Sequence, residues 1–294
     1  MECSAWQLLQ QQQPKPLVSH RLSPYYGAMS GHRLDDRERE HLAEEGYVLR
    51  EAVFSRVEVA AIAEDCEAVL VRAANGPATR KIPMGNYLSE INPELVTVVK
   101  WEPEYPDQLQ GLEPFAHFDT NLEAWGKDAR FVEPMRDLLD TAAPCLFTEK
   151  LNVKRAHVGG AIFLHQDCPY WIENSENPDE IATALLFLDD SNRRNGCLEV
   201  VPGSHRQTLA KSREVAGFGR FEIDPDHFDT AALIALEVCA GSVAFFGPRL
   251  VHRSLPNTTE ADRRTLLYSY QPAGRSTSAD FLAQMIRTST HERG

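Results

Sequence analysis

Phe163-Leu164-His165-Gln166-Asp167-Cys168-Pro169-Tyr170-Trp171 sets an imidazole and a carboxylate two residues apart at the end of a strand-like run. On a β-strand, residues i and i+2 point to one face. His165 and Asp167 are therefore expected to grip one metal ion while Gln166 turns away. A third ligand must come from elsewhere, and His252 is the best placed, directly after the apolar run at Phe245-Phe246. Two neutral imidazoles and one carboxylate leave half of the coordination sphere open, which is the ligand set of non-haem Fe(II) oxygenases.

A second His-x-Asp, His117-Phe118-Asp119, has the same spacing and competes on that ground alone. The strand-like residues before His165 and the β-rich segments around it favour the first pair. His157 and His205 are further pocket histidines by type, with turn or surface positions the plainer expectation. An oxygenase with this ligand set needs a dicarboxylate cosubstrate, and its distal carboxylate calls for a fixed bidentate cation. Arg263 and Arg264 both follow the turn-forming Pro256-Asn257-Thr258-Thr259. As strand neighbours they face opposite sides, so one enters the site. A hairpin returning from His252 would bring Arg263 to the level of the metal, with Ser254 adding a hydroxyl donor and Arg264 left as a solvated surface charge.

The 294 residues, 43% of them hydrophobic, are enough for one large domain with a substantial core. A flexible segment over 1–31, rich in Gln, Ser and Pro, is expected to precede a single domain over 32–294. A formal charge of −13 and a pI near 5.2 argue against nucleic acid, which demands dense Lys and Arg. Cys3, Cys66, Cys145, Cys168, Cys197 and Cys239 form no C-x-x-C pair, which fits reduced thiols and a cytoplasmic compartment. No apolar run approaches the roughly 18 residues of a membrane span, and the N-terminus lacks an apolar signal core. Oligomeric state is not readable from the chain.

Along the chain, Asp35 and Asp36 cap a short acidic helix stopped at Gly46, and Tyr47-Val48-Leu49-Arg50 reads as a strand. Ser55 opens a second helix whose stripe is Val59, Ile62, Cys66 and Val69. Residues 81–92 read as a loop, with 84–87 a possible substrate lid, and Leu95 to Trp101 as a strand. Phe131, Met135, Leu138 and Leu139 mark a helix packed outside a sheet. From about 145 to 271 short strands and turns take over. Leu146 to Lys154 alternates, with Lys150, Asn152 and Lys154 on one face. Ile181 to Leu188 is apolar throughout, as a strand covered on both faces would be. Asn195-Gly196 signals a two-residue hairpin into Cys197-Leu198-Glu199-Val200-Val201. The fold class expected is mainly β with flanking helices around a double-sheet jelly roll.

His165-Gln166-Asp167 with Tyr170-Trp171, the Asn195 to His205 segment, and His252 with Ser254 and Arg263 together resemble the phytanoyl-CoA dioxygenase family, from about Glu40 to Gln271. The resemblance implies a double-stranded β-helix, or cupin-like jelly roll, that binds Fe(II) and 2-oxoglutarate and oxidises a C–H bond of a small-molecule substrate with O2. It implies His165, Asp167 and His252 as iron ligands, Arg263 as the clamp on the distal carboxylate with Ser254 beside it, and Asn152 as an amide donor to 2-oxoglutarate. Iron halogenases of related fold carry Gly or Ala in place of the carboxylate ligand, so Asp167 favours hydroxylation. Tyr170 and Trp171 are expected to wall the substrate cavity, and Cys168 to be a small packing residue. The competing classes are a cupin-like small-molecule or metal-binding protein without turnover, and a metal-dependent hydrolase or isomerase, neither of which calls for Arg263.

Overall fold

Every residue of the strand Ala182–Phe187 is buried, because its alternate side chains enter two different cores. Ala184 and Leu186 join one, Leu185 and Phe187 the other. In the computed structural model, which describes residues 31–76, 79–207, 209–210, 212–213, 222–223 and 229–291, that strand lies inside a nine-stranded antiparallel sheet. In chain order the strands are β1 (Tyr47–Arg50), β2 (Ile82–Met84), β3 (Tyr87–Asn92), β4 (Thr97–Trp101), β5 (Leu109–Glu113), β6 (Pro144–Lys154), β7 (Ile162–His165), β8 (Ala182–Phe187), β9 (Leu198–Val200), β10 (Ser212–Arg213), β11 (Glu222–Ile223), β12 (Ile234–Ala235), β13 (Val243–Phe246), β14 (His252–Ser254) and β15 (Arg263–Pro272). The large sheet runs β1-β13-β8-β15-β6-β5-β4-β3-β2, a smaller one runs β12-β9-β14-β7, and β10 pairs with β11.

The two larger sheets form the sandwich of a jelly roll. Leu185, Phe187, Ala244, Phe246 and Leu267 of the large sheet meet Leu198 and Val200 of the small one. The outer face is covered by helices. In chain order the helices are α1 (Asp36–Glu45), α2 (Arg56–Ala74), α3 (Thr120–Trp125), α4 (Ala129–Leu138), α5 (Cys168–Trp171) and α6 (Ser278–His291); α2, α3 and α4 bury apolar side chains in that outer layer, whereas α5 adjoins His165. Capping boxes open α1 (Asp35 with Glu38) and α2 (Ser55 with Glu58), and Gly46 closes α1 at φ 86°. The α2 stripe Val59, Ile62, Cys66 and Val69 is buried as its spacing predicts, and Phe131 and Met135 of α4 join the same core.

Asp137, at the end of α4, ties the segment before α1 to this layer. Its carboxylate accepts from Arg33 Nε at 2.9 Å, Arg39 Nη1 at 2.6 Å and Leu34 N–H at 2.9 Å, and its side chain is only 3% exposed. Burial alone would raise this carboxyl, but the bonds from Arg33, Leu34 and Arg39 outweigh it and hold it below its ordinary value. A carboxyl depressed in the folded state stabilises above its unfolded value and loses that contribution as pH falls through the folded one. Asp137→Asn is therefore expected to cost about 1–3 kcal/mol in urea unfolding at pH 7, with the gap to wild type closing below about pH 4. A gap independent of pH would refute the charged-cluster account.

Several expectations need correction. Residues 81–92 are not a loop: Ile82, Pro83 and Met84 pair with Ser89, Leu88 and Tyr87 as a hairpin that widens the large sheet. The β core thus begins well before residue 145. Asn195-Gly196 does not make a two-residue hairpin. It ends a 3-10 turn over Arg193–Asn195, with Gly196 left-handed at φ 74°, and carries the chain from β8 in one sheet to β9 in the other. The helix α6 lies beyond the last expected strand. The expected flexible segment over 1–31 lies, apart from Gly31, outside the described residues. Among those residues no helix is long and apolar enough to cross a membrane, and the five described cysteines are free.

Candidate metal centre

β7 and β14 are neighbours in the small sheet, and their register sets His165 directly opposite His252. The two rings lie 4.1 Å apart, centroid to centroid. Asp167 does not share the strand with His165, contrary to the i, i+2 expectation. β7 ends at His165, and Asp167 stands at the first turn of α5 with φ −72° and ψ −34°. The turn brings its carboxylate to 3.8 Å from His165 Nε2. One ligand atom from each of His165, Asp167 and His252 lies within 4.8 Å of the others, and all three residues are buried. Gln166 does face away, donating to Arg249 O at 2.7 Å and accepting from Ala210 N–H at 3.0 Å.

The imidazole orientations follow from their second nitrogens. His165 Nδ1 is 2.7 Å from Phe163 O and His252 Nδ1 is 2.9 Å from Leu250 O. A carbonyl only accepts, so both Nδ1 atoms carry the proton and both Nε2 lone pairs are left for a metal. Burial, helped by His252, pushes His165 down to about 3, so it is neutral at physiological pH. Burial acts to raise the Asp167 carboxyl, but nearby positive charge, the Lys150 ammonium first, holds it below its ordinary value. The local framework is stiff: Ser204 Oγ accepts from Val251 N–H at 2.9 Å, and Arg253 Nε donates to buried Glu199 at 2.7 Å, fixing β14 against β9.

Arg263 does not arrive on a hairpin from His252, because β14 and β15 belong to different sheets. It starts β15, opposite Lys154 of β6, and is buried. Its Nη2 donates to Gly196 O and Nη1 to Thr265 Oγ1 at 3.4 Å, while Nε has no partner among the described residues. Burial pushes this guanidinium down to about 10, which leaves it charged at neutral pH. Lys154 beside it is buried too, and desolvation together with Arg263 drives its ammonium well below its ordinary value. Ser254 Oγ is buried without a partner among the described residues, two residues after His252 on β14. Asn152 faces Thr265 across the β6–β15 pair and Gly111 on the other side. Arg264 is not a solvated charge: it ion-pairs with Asp189 at 2.9 Å and Glu67 at 3.2 Å, with its side chain 21% exposed.

Tyr170 stacks edge-on against His165 at 5.5 Å, and Trp171 is buried against Phe147 with the Lys150 ammonium 5.5 Å from its ring centre. Cys168 is buried and its thiol points to Asp179. The other histidines stay apart. His117 bonds Leu95 O while Asp119 caps α3, His157 pairs with Glu260, and His205 packs against Gly46 and bonds Ala43 O. Lys100, Glu113 and Tyr87 near the centre escaped sequence reasoning. Their signal, charged residues alternating with apolar ones on interior strands, is visible only once β3 to β5 are placed in the sheet.

The profile of the family described as Phytanoyl-CoA dioxygenase (PhyH) matches residues 42–265. L-proline trans-4-hydroxylase of Streptomyces griseoviridis is 32% identical over 139 residues, covering 41% of this chain and 52% of that protein, about half its length. A probable alpha-ketoglutarate-dependent hypophosphite dioxygenase of Stutzerimonas stutzeri is 28% identical over 247 residues, covering 81% of this chain and 78% of the other. Among solved structures, EctD from S. alaskensis with 2-oxoglutarate and 5-hydroxyectoine superposes with a TM-score of 0.65 at 21% identity, covering 86% and 82% of the two chains. The non-heme alpha ketoglutarate dependent carbocyclase SnoK from nogalamycin biosynthesis gives 0.64 at 20% identity, covering 89% and 94%. These likenesses carry the double-stranded β-helix fold.

Proposed function

The chain belongs to the phytanoyl-CoA dioxygenase family, and from that premise we propose that it is an Fe(II)- and 2-oxoglutarate-dependent dioxygenase that hydroxylates a C–H bond of a small organic substrate, releasing succinate and CO2. The observation that carries this is a buried His-Asp-His cluster together with the buried Arg263, which faces Lys154 across β6 and β15 and has no carboxylate in ion-pair contact among the described residues. Arg263 Nε and Ser254 Oγ are buried with no partner among the described residues, and the half-buried Asn152 amide makes no hydrogen bond among them. Buried donors without acceptors cost stability. An oxyanion satisfies them, and a structural metal site alone would give no reason for them.

His165, Asp167 and His252 hold Fe(II) in this reading, and Arg263, Ser254 and Asn152 hold 2-oxoglutarate. Bound there with O2, the iron and the oxoacid supply the oxidising power for an unactivated C–H bond. The chain's own work is positional. The Phe163 and Leu250 carbonyls fix the imidazole tautomers, Lys150 helps keep Asp167 anionic, and Arg263 sets the cosubstrate's long axis. Trp171 and Phe147 keep water from one side of the centre. L-proline trans-4-hydroxylase, a relative that hydroxylates as its name states, supports hydroxylation as the outcome.

The test is an anaerobic titration of the metal-free protein with Fe(II) and then 2-oxoglutarate. The expected result is the weak visible charge-transfer band of an iron-chelated 2-oxoacid, followed by succinate formation once air is admitted. Tight iron binding with no band and no succinate would overturn the proposal.

A further inference from the structure

Lys150, Asn152 and Lys154 share one face of β6, and their partners on β15 are Leu267, Thr265 and Arg263. The cationic pocket at Lys154 and Arg263 therefore lies about 13 Å along the strand from the level of Lys150. At the Lys150 end the surroundings change. Its ammonium is 4.0 Å from Asp167 Oδ1 and 3.7 Å from Glu113 Oε2, both beyond hydrogen-bond distance, and it makes no hydrogen bond among the described residues. Glu113 is engaged instead by Lys100, at 2.7 Å, and Lys100 rests over the Tyr87 ring at 4.9 Å. Glu222 of β11 stands further out, toward Tyr170. Lys150 is thus a half-buried cation, 18% exposed, beside Asp167 of the metal cluster, with two carboxylates in loose ion-pair range and neither at hydrogen-bond distance.

We propose that Lys150 anchors the carboxylate of an anionic small-molecule substrate, holding it between Tyr170, Trp171 and the His165–Asp167 edge of the metal centre. This rests on the oxygenase function proposed above. Three observations support a monoanion at this place. Metal at the cluster would take up the charge of Asp167, one of the two carboxylates near Lys150 among the described residues, which leaves only Glu113, itself engaged by Lys100. Glu113 at 3.7 Å adds a negative charge that a dianionic head group would have to approach. The Tyr170 ring, edge-on to His165 and exposed, supplies an apolar wall for the carbon skeleton, with buried Trp171 behind Lys150. The distance from Arg263 separates this role from that of the cosubstrate clamp.

The experiment uses the full chain loaded anaerobically with Fe(II) and 2-oxoglutarate. A panel of small monocarboxylates and amino acids, each matched with its primary amide, is titrated against the visible band, and dissociation constants are read from the spectral change. Succinate release in air is measured in parallel. Binding is expected for carboxylates and not for their amides. Lys150→Met should weaken it about 10- to 100-fold, Lys150→Arg should retain most of it, and the loss for the acids should exceed any change in the 2-oxoglutarate dissociation constant. Equal binding of acids and amides, no binding in either series, or a Lys150→Met effect that falls on 2-oxoglutarate would each overturn the assignment while the band still stands. Absence of the band in wild type would remove the oxygenase function and the proposal with it.

Discussion

Asp167→Ala is expected to weaken Fe(II) binding by more than about 100-fold and to lower succinate formation by at least that factor. Outer partners of metal ligands cost 10- to 100-fold when removed, so a ligand itself should exceed that range. The geometry sharpens the expectation. His165 and His252 are directly cross-strand and 4.1 Å apart, so alone they offer a metal two nitrogens from one side, and Asp167 is the only anionic donor within 4.8 Å of both among the described residues. It is held as a carboxylate at neutral pH, and His165 as a neutral imidazole, so neither has to lose a proton when metal enters. Equilibrium dialysis with Fe(II), or with Mn(II) as an air-stable probe, measures the loss. Binding within a few-fold of wild type would show that the metal is held elsewhere.

The ligand types could be chosen from the chain because chemistry restricts them, while the way they meet could not. Alternation along β7 was a sound reason to pair His165 with Asp167, yet the strand stops at His165 and Pro169 opens a helix, so a turn performs the juxtaposition. The same competition between local pattern and tertiary pairing explains the other differences. Residues 81–92 carry Pro83, Gly85, Asn86 and Asn92, whose turn preferences mask two short strands that only the neighbouring β4 makes worth forming. Asn195-Gly196 has hairpin chemistry, but the strand after it is captured by β14 and β12 in the other sheet. Arg264 was assigned to solvent because its partners, Asp189 and Glu67, are 75 and 197 residues away. What was legible was local or chemically obligatory: two helix N-caps, a helical stripe, the doubly covered β8, and the residue types of a His-Asp-His set. What was hidden depends on contacts between segments far apart in the chain.

Arg263→Met should separate binding from folding in opposite directions. The 2-oxoglutarate dissociation constant is expected to rise about 100-fold, since a charge-assisted bidentate contact to a buried carboxylate is worth on the order of 3 kcal/mol. Without cosubstrate the variant should be as stable as wild type, or more stable. In the unloaded protein Arg263 is a buried cation beside buried Lys154, with no carboxylate in ion-pair contact among the described residues and with its Nε unsatisfied. Replacing an uncompensated buried charge with an apolar side chain of similar length relieves desolvation, and the hydrogen bonds given up, to Gly196 O and the long one to Thr265 Oγ1, leave only acceptors behind. Thermal unfolding with and without 2-oxoglutarate, in the presence of Mn(II), reads both effects at once. Wild type should gain melting temperature on adding the oxoacid and the variant should gain almost none, from a starting point no lower than wild type. A variant that loses stability in the unloaded state but keeps its response to 2-oxoglutarate would make Arg263 a structural residue of the β6–β15 pair and would move the clamp to Lys154.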